Sequence, residues 1–391
     1  MTDYSQPSFS ISIEEEYQFV DPDSRELRGF ATAQGLTLHE ESEESSSASD
    51  LAFVVPVVGT PVCRDVKQVR GELLRRRRSM RELAASHGLK LMAAGAHPFS
   101  LWERVHEEES PRYRALIEDT QFVARRLLAF GMTVRVSLGD RNLVIDVMNA
   151  IRYLLPHILC LANSSPFWQG RDTGLASHRS VLLDALPRTG IPNAFRSYNH
   201  YLSYVDTLLR TNSISDPEAI WWDIRPREHR RQSDGEIGER SGPPDAAGRP
   251  ALEIRVCDAL PEIDDVLAVA ALIQATVAWM VELRHRNMSF RLYERTLIAE
   301  NKWRAVRYGL QGKLLDFGIE QEVPIGDLLH ELLERVDPVL DRLNCRAEVE
   351  HVESIIARGA SSDQQRQVWR ESGEDGKAVV DFLVAQTENA L

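Results

Sequence analysis

Residues 10–20 read Ser-Ile-Ser-Ile-Glu-Glu-Glu-Tyr-Gln-Phe-Val, a run of carboxylates set between alternating β-branched and aromatic residues. That pattern predicts a strand. Successive side chains on a strand point to opposite faces, so Glu14 and Glu16 share one face and Glu15 takes the other. Like charges side by side repel and give a sheet nothing. They suit a hard cation instead, because Mg²⁺ prefers carboxylate oxygens and usually travels with a phosphorylated substrate. A solvated edge strand with a charged rim is the plainer alternative.

A second set of charges sits further along. Glu253 and Arg255 alternate with Leu252, Ile254 and Val256, so both face away from those apolar groups. Burying an unpaired carboxylate is expensive, which requires Glu253 to meet a cation or an arginine. Arg225 closes the preceding strand in Trp221-Trp222-Asp223-Ile224-Arg225-Pro226. A structural ion pair explains Glu253 and Arg255 equally well when they are taken alone. Charged faces on several strands of one chain together point to a site for metal and phosphate.

The elements that must position these groups follow from periodicity. Residues 51–59 are a valine-rich apolar run and residues 89–96, 132–138, 219–225 and 251–256 are strand-like, which with the first stretch makes six strands. Residues 65–86 read as a charged helix with apolar positions at Val66, Val69, Leu73, Met80 and Leu83, and its 75–78 arginine run as a solvated face. Residues 143–161 form an apolar helix with a kink expected near Pro156. Residues 264–284 form a long core helix, and residues 320–391 are helical and charged. Residues 40–49, almost all Glu and Ser, and the Arg/Gly/Pro-rich 228–250 are expected to be mobile loops. Some strands are too closely spaced for parallel crossovers, so the expected fold is α+β, one domain over 1–391 with a mainly antiparallel sheet.

The chain of 391 residues holds 46 Lys+Arg against 59 Asp+Glu, a formal charge of −13. No excess positive charge is available to neutralise phosphates, so neither a nucleic-acid nor an anionic-membrane partner is expected. Cys63, Cys160, Cys257 and Cys345 lie far apart without a CxxC pair, which fits reduced thiols in a cytoplasm. No basic segment followed by an apolar run marks a secretory signal near the start. The apolar run 266–281 is short for a bilayer and reads as a buried helix. GxxxxGK[ST], GxGxxG after a strand, HExxH and GxSxG are all absent, which argues against P-loop ATPases, Rossmann oxidoreductases, zincins and α/β-hydrolases.

Ile13-Glu14-Glu15-Glu16 followed by Val20-Asp21-Pro22 resembles the opening of the type-2 glutamate–cysteine ligase family, in its bacterial carboxylate–amine ligase branch. The resemblance continues through Thr60-Pro61-Val62-Cys63-Arg64, Ala94-Gly95-Ala96-His97-Pro98-Phe99 and Asn163-Ser164-Ser165-Pro166-Phe167-Trp168. Gly170-Arg171-Asp172-Thr173-Gly174, Trp222-Asp223-Ile224-Arg225-Pro226, Glu253-Ile254-Arg255-Val256-Cys257-Asp258 and 303–310 extend it over most of the chain. It implies a glutamine-synthetase-like catalytic domain, a curved sheet with helices packed on one side that cradles ATP and Mg²⁺ or Mn²⁺. The implied chemistry is amide formation from a small-molecule carboxylate and an amine through an acyl phosphate. By resemblance Glu14, Glu16, Asp50 and Glu253 are metal ligands, and Arg225, Arg255 and Arg307 hold phosphate or carboxylate oxygens through forked hydrogen bonds. His97, Thr133 and Arg135 fall at substrate positions, Arg135 with a catalytic role beside Arg225 and Arg255, while a turn-stabilising role explains His97 equally well. A homodimer is consistent with the family.

The departures are specific. Where the family carries two acids ahead of Thr-Pro-Val-Cys, this chain has Asp50 and Val57. Where the family reads His-Val-His-Val-Gly, it has Thr133-Val134-Arg135-Val136-Ser137, which puts a permanent cation at an expected metal ligand. The glycine ahead of the first acids is Ser12. Two other readings therefore stand beside the ligase: a family member turned to metal-poor chemistry in a specialised pathway, and a catalytically silent binding protein.

Overall fold

The computed structural model describes residues 7–28, 56–105, 117–227 and 250–391. Asp50, the tract 40–49 and nearly all of 228–250 lie outside the described residues. The main sheet has five strands: β1 (Ile11–Glu16), β2 (Val57–Gly59), β3 (Gly131–Ser137), β4 (Ile224–Arg227) and β5 (Ala251–Asp258). They run β4-β5-β3-β1-β2, every neighbouring pair antiparallel.

The expected sixth strand belongs elsewhere. After Glu16 the chain leaves the main ladder, and the Tyr17 N–H donates to Pro56 O at 2.9 Å. Gln18–Val20 then pairs with Lys90–Met92 on one side and Leu27–Arg28 on the other, in a separate three-stranded sheet. The alternation of residues 10–20 thus serves two sheets in succession, because the strand period specifies faces and not ladder partners.

One face of the main sheet is apolar except at Glu15. Ile11, Ile13, Val134, Val136, Leu252 and Ile254 are fully buried against helices α1 (Val66–Ser86), α2 (Arg141–Ile151), α3 (Leu155–Leu161) and α5 (Ile263–His285). Asp65 caps α1 by accepting from Gln68 N at 2.9 Å, which satisfies one of the free N–H groups of its first turn. The residues buried along α1 are Val66, Val69, Leu73, Arg77, Met80, Leu83 and Ala84, a helical stripe that takes Arg77 inside while Arg75 and Arg78 stay exposed. The arginine run is therefore not one solvated face. α2 and α3 are separated by a 3₁₀ turn, Arg152–Leu154, just ahead of Pro156, whose missing N–H falls in the opening turn of α3. The stretches Arg141–Leu161 and Ile263–His285 are apolar and long enough to cross a membrane, and 83% of the apolar window of each is packed inside the fold.

Two further helices supply side chains used below, α4 (His178–Asp184) and α6 (Arg295–Tyr308). Ile325–Leu343, Arg346–Arg358, Ser361–Glu371 and Gly376–Glu388 complete a helical C-terminal part.

Candidate active site

Residues opposed across an antiparallel pair project from the same face. The register sets Glu14 against Thr133 and Ser12 against Arg135 between β1 and β3, Arg135 against Glu253 between β3 and β5, and Glu253 against Arg225 between β5 and β4. On the outer side Glu16 faces Val57. The polar face therefore gathers Glu14, Glu16, Thr133, Arg135, Arg225 and Glu253, with Val57 as the apolar intruder. A register shift between Ile254 and Cys257 interrupts the β5–β3 ladder, and there the Arg255 N–H pairs instead with Asp223 O at 2.8 Å.

Glu253 is the centre of this face and is fully buried. Its Oε1 accepts from Arg225 Nε at 2.7 Å and from Arg255 Nη1 at 3.3 Å, and its Oε2 accepts from Arg135 Nε at 2.7 Å. Arg227 Nε stands 3.8 Å away. Burial alone would push the Glu253 carboxyl up, but Arg225, Arg135, Arg255 and Arg227 outweigh it and hold the group well below the usual carboxylate range. Arg135 also donates from Nη2 to Glu14 Oε2 at 2.9 Å, so one guanidinium spans two strands and two carboxylates. Glu218 closes the other end: it accepts from Arg225 Nη2 at 2.8 Å and pairs with Arg227. The arginines beside it hold its carboxyl low against the effect of burial.

Next to this cluster Glu16, Thr133, Arg179, Trp221, Asp223 and Arg255 line a small cleft. Glu16 Oε2 accepts from the Gly131 N–H at 2.6 Å. Asp223 is tied to the buried Lys302 of α6, whose Nζ lies 2.8 Å from Asp223 Oδ2 and 2.9 Å from Asp184 Oδ1 of α4. Burial would lower the Lys302 pKa, but the two carboxylates raise it overall. Lys302, Asp184, Arg179, Arg227 and Glu218 were not among the residues expected at the site. Arg227 follows Arg225 at the strand period and could have been found, and Glu218 lies just ahead of the same strand; the others come from distant elements that carry no local signal.

Two expected residues fall outside this constellation. The wholly buried His97 lies in the turn, where Nδ1 accepts from the N–H groups of Phe99 and Ser100 at 3.2 and 3.0 Å and Nε2 lies 3.0 Å from Arg25 O. Burial pushes its pKa down to about 3. Both ring nitrogens are thus engaged by backbone groups of the turn and of Arg25. Arg307 donates to Gly174 O and stacks on Tyr308 at 5.0 Å, with no ion pair to the Glu253 cluster among the described residues.

A divalent ion does not fit between Glu14 and Glu253. Both Glu253 oxygens and Glu14 Oε2 already accept from guanidinium groups. Four arginines (135, 225, 227 and 255) face three carboxylates (14, 218 and 253), leaving no net negative charge to attract a cation. Among the described residues no group of three or more His, Cys, Asp or Glu side chains is arranged to hold a metal ion.

Two solved structures resemble the chain in fold. The crystal structure of glutamate–cysteine ligase from Francisella tularensis in complex with AMP has TM-score 0.64 at 14% identity, covering 97% of this chain and 88% of that one. A bifunctional glutathione synthetase from Pasteurella multocida has TM-score 0.63 at 14% identity, covering 99% of this chain and 53% of that one. The chain thus shares its fold with these two proteins. In sequence, a protein of Herpetosiphon aurantiacus assigned by name to glutamate–cysteine ligase 2 is 42% identical over 383 residues, 97% of this chain and 93% of its own length. A relative from Sorangium cellulosum with the same assignment is 41% identical over 98% of this chain and 97% of its own. The sequence profile of glutamate–cysteine ligase family 2 matches residues 11–381, and the chain belongs to that family.

Proposed function

We propose that the protein is an ATP-dependent carboxylate–amine ligase that forms an amide through an acyl phosphate. The observation that carries this reading is the arginine-rich polar face of the main sheet, with Arg255 at the cleft beside Thr133 and Glu16, in a chain of this family. A substrate carboxylate oxygen bonds to the γ-phosphorus while the bond to the β-phosphate oxygen breaks and ADP leaves. The amine nitrogen then bonds to the acyl carbon, the carbon–oxygen bond to phosphate breaks, and the amine gives up a proton. Such transfers depend mainly on positioning and on neutralising charge, which a fork of guanidinium donors supplies. Arg135, Arg225 and Arg255 form that fork, and Glu253 fixes their directions. Glu16 and Asp50 are the remaining acids through which a divalent ion could act, and Glu16 lines the cleft. The substrates are a small carboxylate and an amine, and the buried free thiols Cys63, Cys160, Cys257 and Cys345 suit a reducing cytoplasm.

One observation favours a second reading: Arg135 sits between two family acids, as a metal-poor enzyme or a silent binding protein would tolerate. Calorimetric titration of ATP with and without Mg²⁺, followed by ADP release in the presence of paired carboxylates and amines, separates them. ATP binding with amine-dependent ADP release supports the ligase. Binding without turnover under any pairing supports the silent protein, and absence of ATP binding sinks the ligase reading.

A further inference from the structure

The guanidinium of Arg135 occupies the space between Glu14 and Glu253, with Nη2 2.9 Å from one carboxylate and Nε 2.7 Å from the other. It has no lone pair for a metal, cannot lose its proton in a protein, and presents a rigid set of donors. Mg²⁺ reaches carboxylate oxygens at about 2.0–2.1 Å, and any divalent ion must displace whatever already holds them. Here the displaced group is a cation bonded at two points, and the second Glu253 oxygen is already held by Arg225 at 2.7 Å.

We infer that Arg135 is a built-in cation that takes the place of a divalent ion between Glu14 and Glu253 and excludes one from it. Phosphate or carboxylate oxygens brought to this part of the face are neutralised by guanidinium groups there. That last consequence rests on the ligase reading, whereas the exclusion of metal does not.

The test uses Mn²⁺ alone, counted by electron paramagnetic resonance on the full chain without nucleotide. Glu14→Gln in the otherwise native protein is expected to leave Mn²⁺ binding unchanged, because Glu14 is not a ligand. Arg135→His is expected to gain one Mn²⁺ per chain, and the added Glu14→Gln to lose it again. Loss of Mn²⁺ binding in Glu14→Gln alone would overturn the inference. So would a folded Arg135→His that gains no ion, since the arginine would then not be what excludes it. Should Arg135→His not fold, the comparison of native protein with Glu14→Gln still decides. Failure to bind ATP would defeat the ligase reading and leave this result standing.

Discussion

Arg77 of α1 grips Glu15 of β1 from the apolar side of the sheet, with Nη2 2.6 Å from Oε1 and Nε 3.1 Å from Oε2. Both side chains are almost wholly buried. The remaining Arg77 donors reach Pro261 O at 2.7 Å and Leu260 O at 3.1 Å, and the Tyr17 hydroxyl donates to Glu15. Glu15 is thus paired under the sheet while Glu14 and Glu16 face the site above it. One strand carries a structural acid and two site acids, separated only by the pleat.

Removing one partner of such a pair strands the other charge in the core. Arg77→Met is therefore expected to destabilise the protein by about 3–5 kcal/mol, and Glu15→Gln by less because the amide oxygen still accepts. Urea unfolding at neutral pH measures both. An Arg77→Met midpoint close to the native one would mean that the pair adds nothing to stability.

Gly95 is required by space rather than by backbone conformation. A Cβ there would stand 2.6 Å from Asp258 Cγ, and Asp258 cannot retreat: it accepts from Ser164 N at 2.8 Å, Ser165 Oγ at 2.7 Å and Ser177 Oγ at 2.8 Å. Asp258 ends β5, and Ser177 caps α4, so this hub locks the strand bearing Glu253 to the helix bearing Arg179. Gly95→Ala should cost about 1–3 kcal/mol through overpacking. A melting temperature unchanged from the native protein would show that the hub yields freely.

His97 makes stability depend on pH. Its folded pKa is lowered from 6.5 to about 3 by burial, while the unfolded chain titrates near the ordinary value. Between those values the unfolded state holds more protons, so the contribution is complete above about pH 6.5 and falls as pH drops through the window. His157 and His178, both pushed down to about 4 by burial, act with the same sign. Unfolding free energies at several pH values below 6.5 should therefore decline steadily. His97→Asn, whose amide oxygen can still accept one N–H, should flatten that slope by up to about 1.4 kcal/mol per pH unit. An identical slope in the variant would remove His97 from the account.

Much of the polar face was legible because alternation fixes faces: Glu14 with Glu16, and Glu253 with Arg255, needed only the strand period. The requirement that Glu253 meet arginine followed from burial and is met by Arg225, Arg135 and Arg255. Arg77 was misread by residue type, although its spacing from Leu73 and Met80 already placed it on the buried stripe. Residues 90–92 were assigned to the wrong sheet, since a strand pattern does not name its partner. Lys302 and Asp184 reach the site from elements whose local sequence says nothing of it. The bridge made by Arg135 depends on the register between β1, β3 and β5, which only the folded chain sets.

Two neighbouring arginines should behave differently when removed. Arg225 supports the fold locally: besides Glu253 it donates to Ile220 O at 2.7 Å, Glu218 O at 3.0 Å and Glu218 Oε2 at 2.8 Å. Arg225→Met leaves Glu253 and Glu218 short of a charged partner in the interior, so its main effect is expected on the unfolding midpoint. Arg255 makes the longest of the Glu253 hydrogen bonds, at 3.3 Å, and lines the cleft. Without it Glu253 keeps Arg225 and Arg135. If Arg255 holds a phosphate oxygen, Arg255→Met should weaken ATP binding by roughly ten- to a hundredfold, the weight of a charge-assisted hydrogen bond of about 1.5–3 kcal/mol. Its unfolding midpoint should stay near native. Calorimetry with ATP and urea unfolding on both variants give the comparison. Equal loss of stability in the two, with ATP affinity intact in Arg255→Met, would make Arg255 a structural partner of Glu253 and move the phosphate contact to another cation of this face.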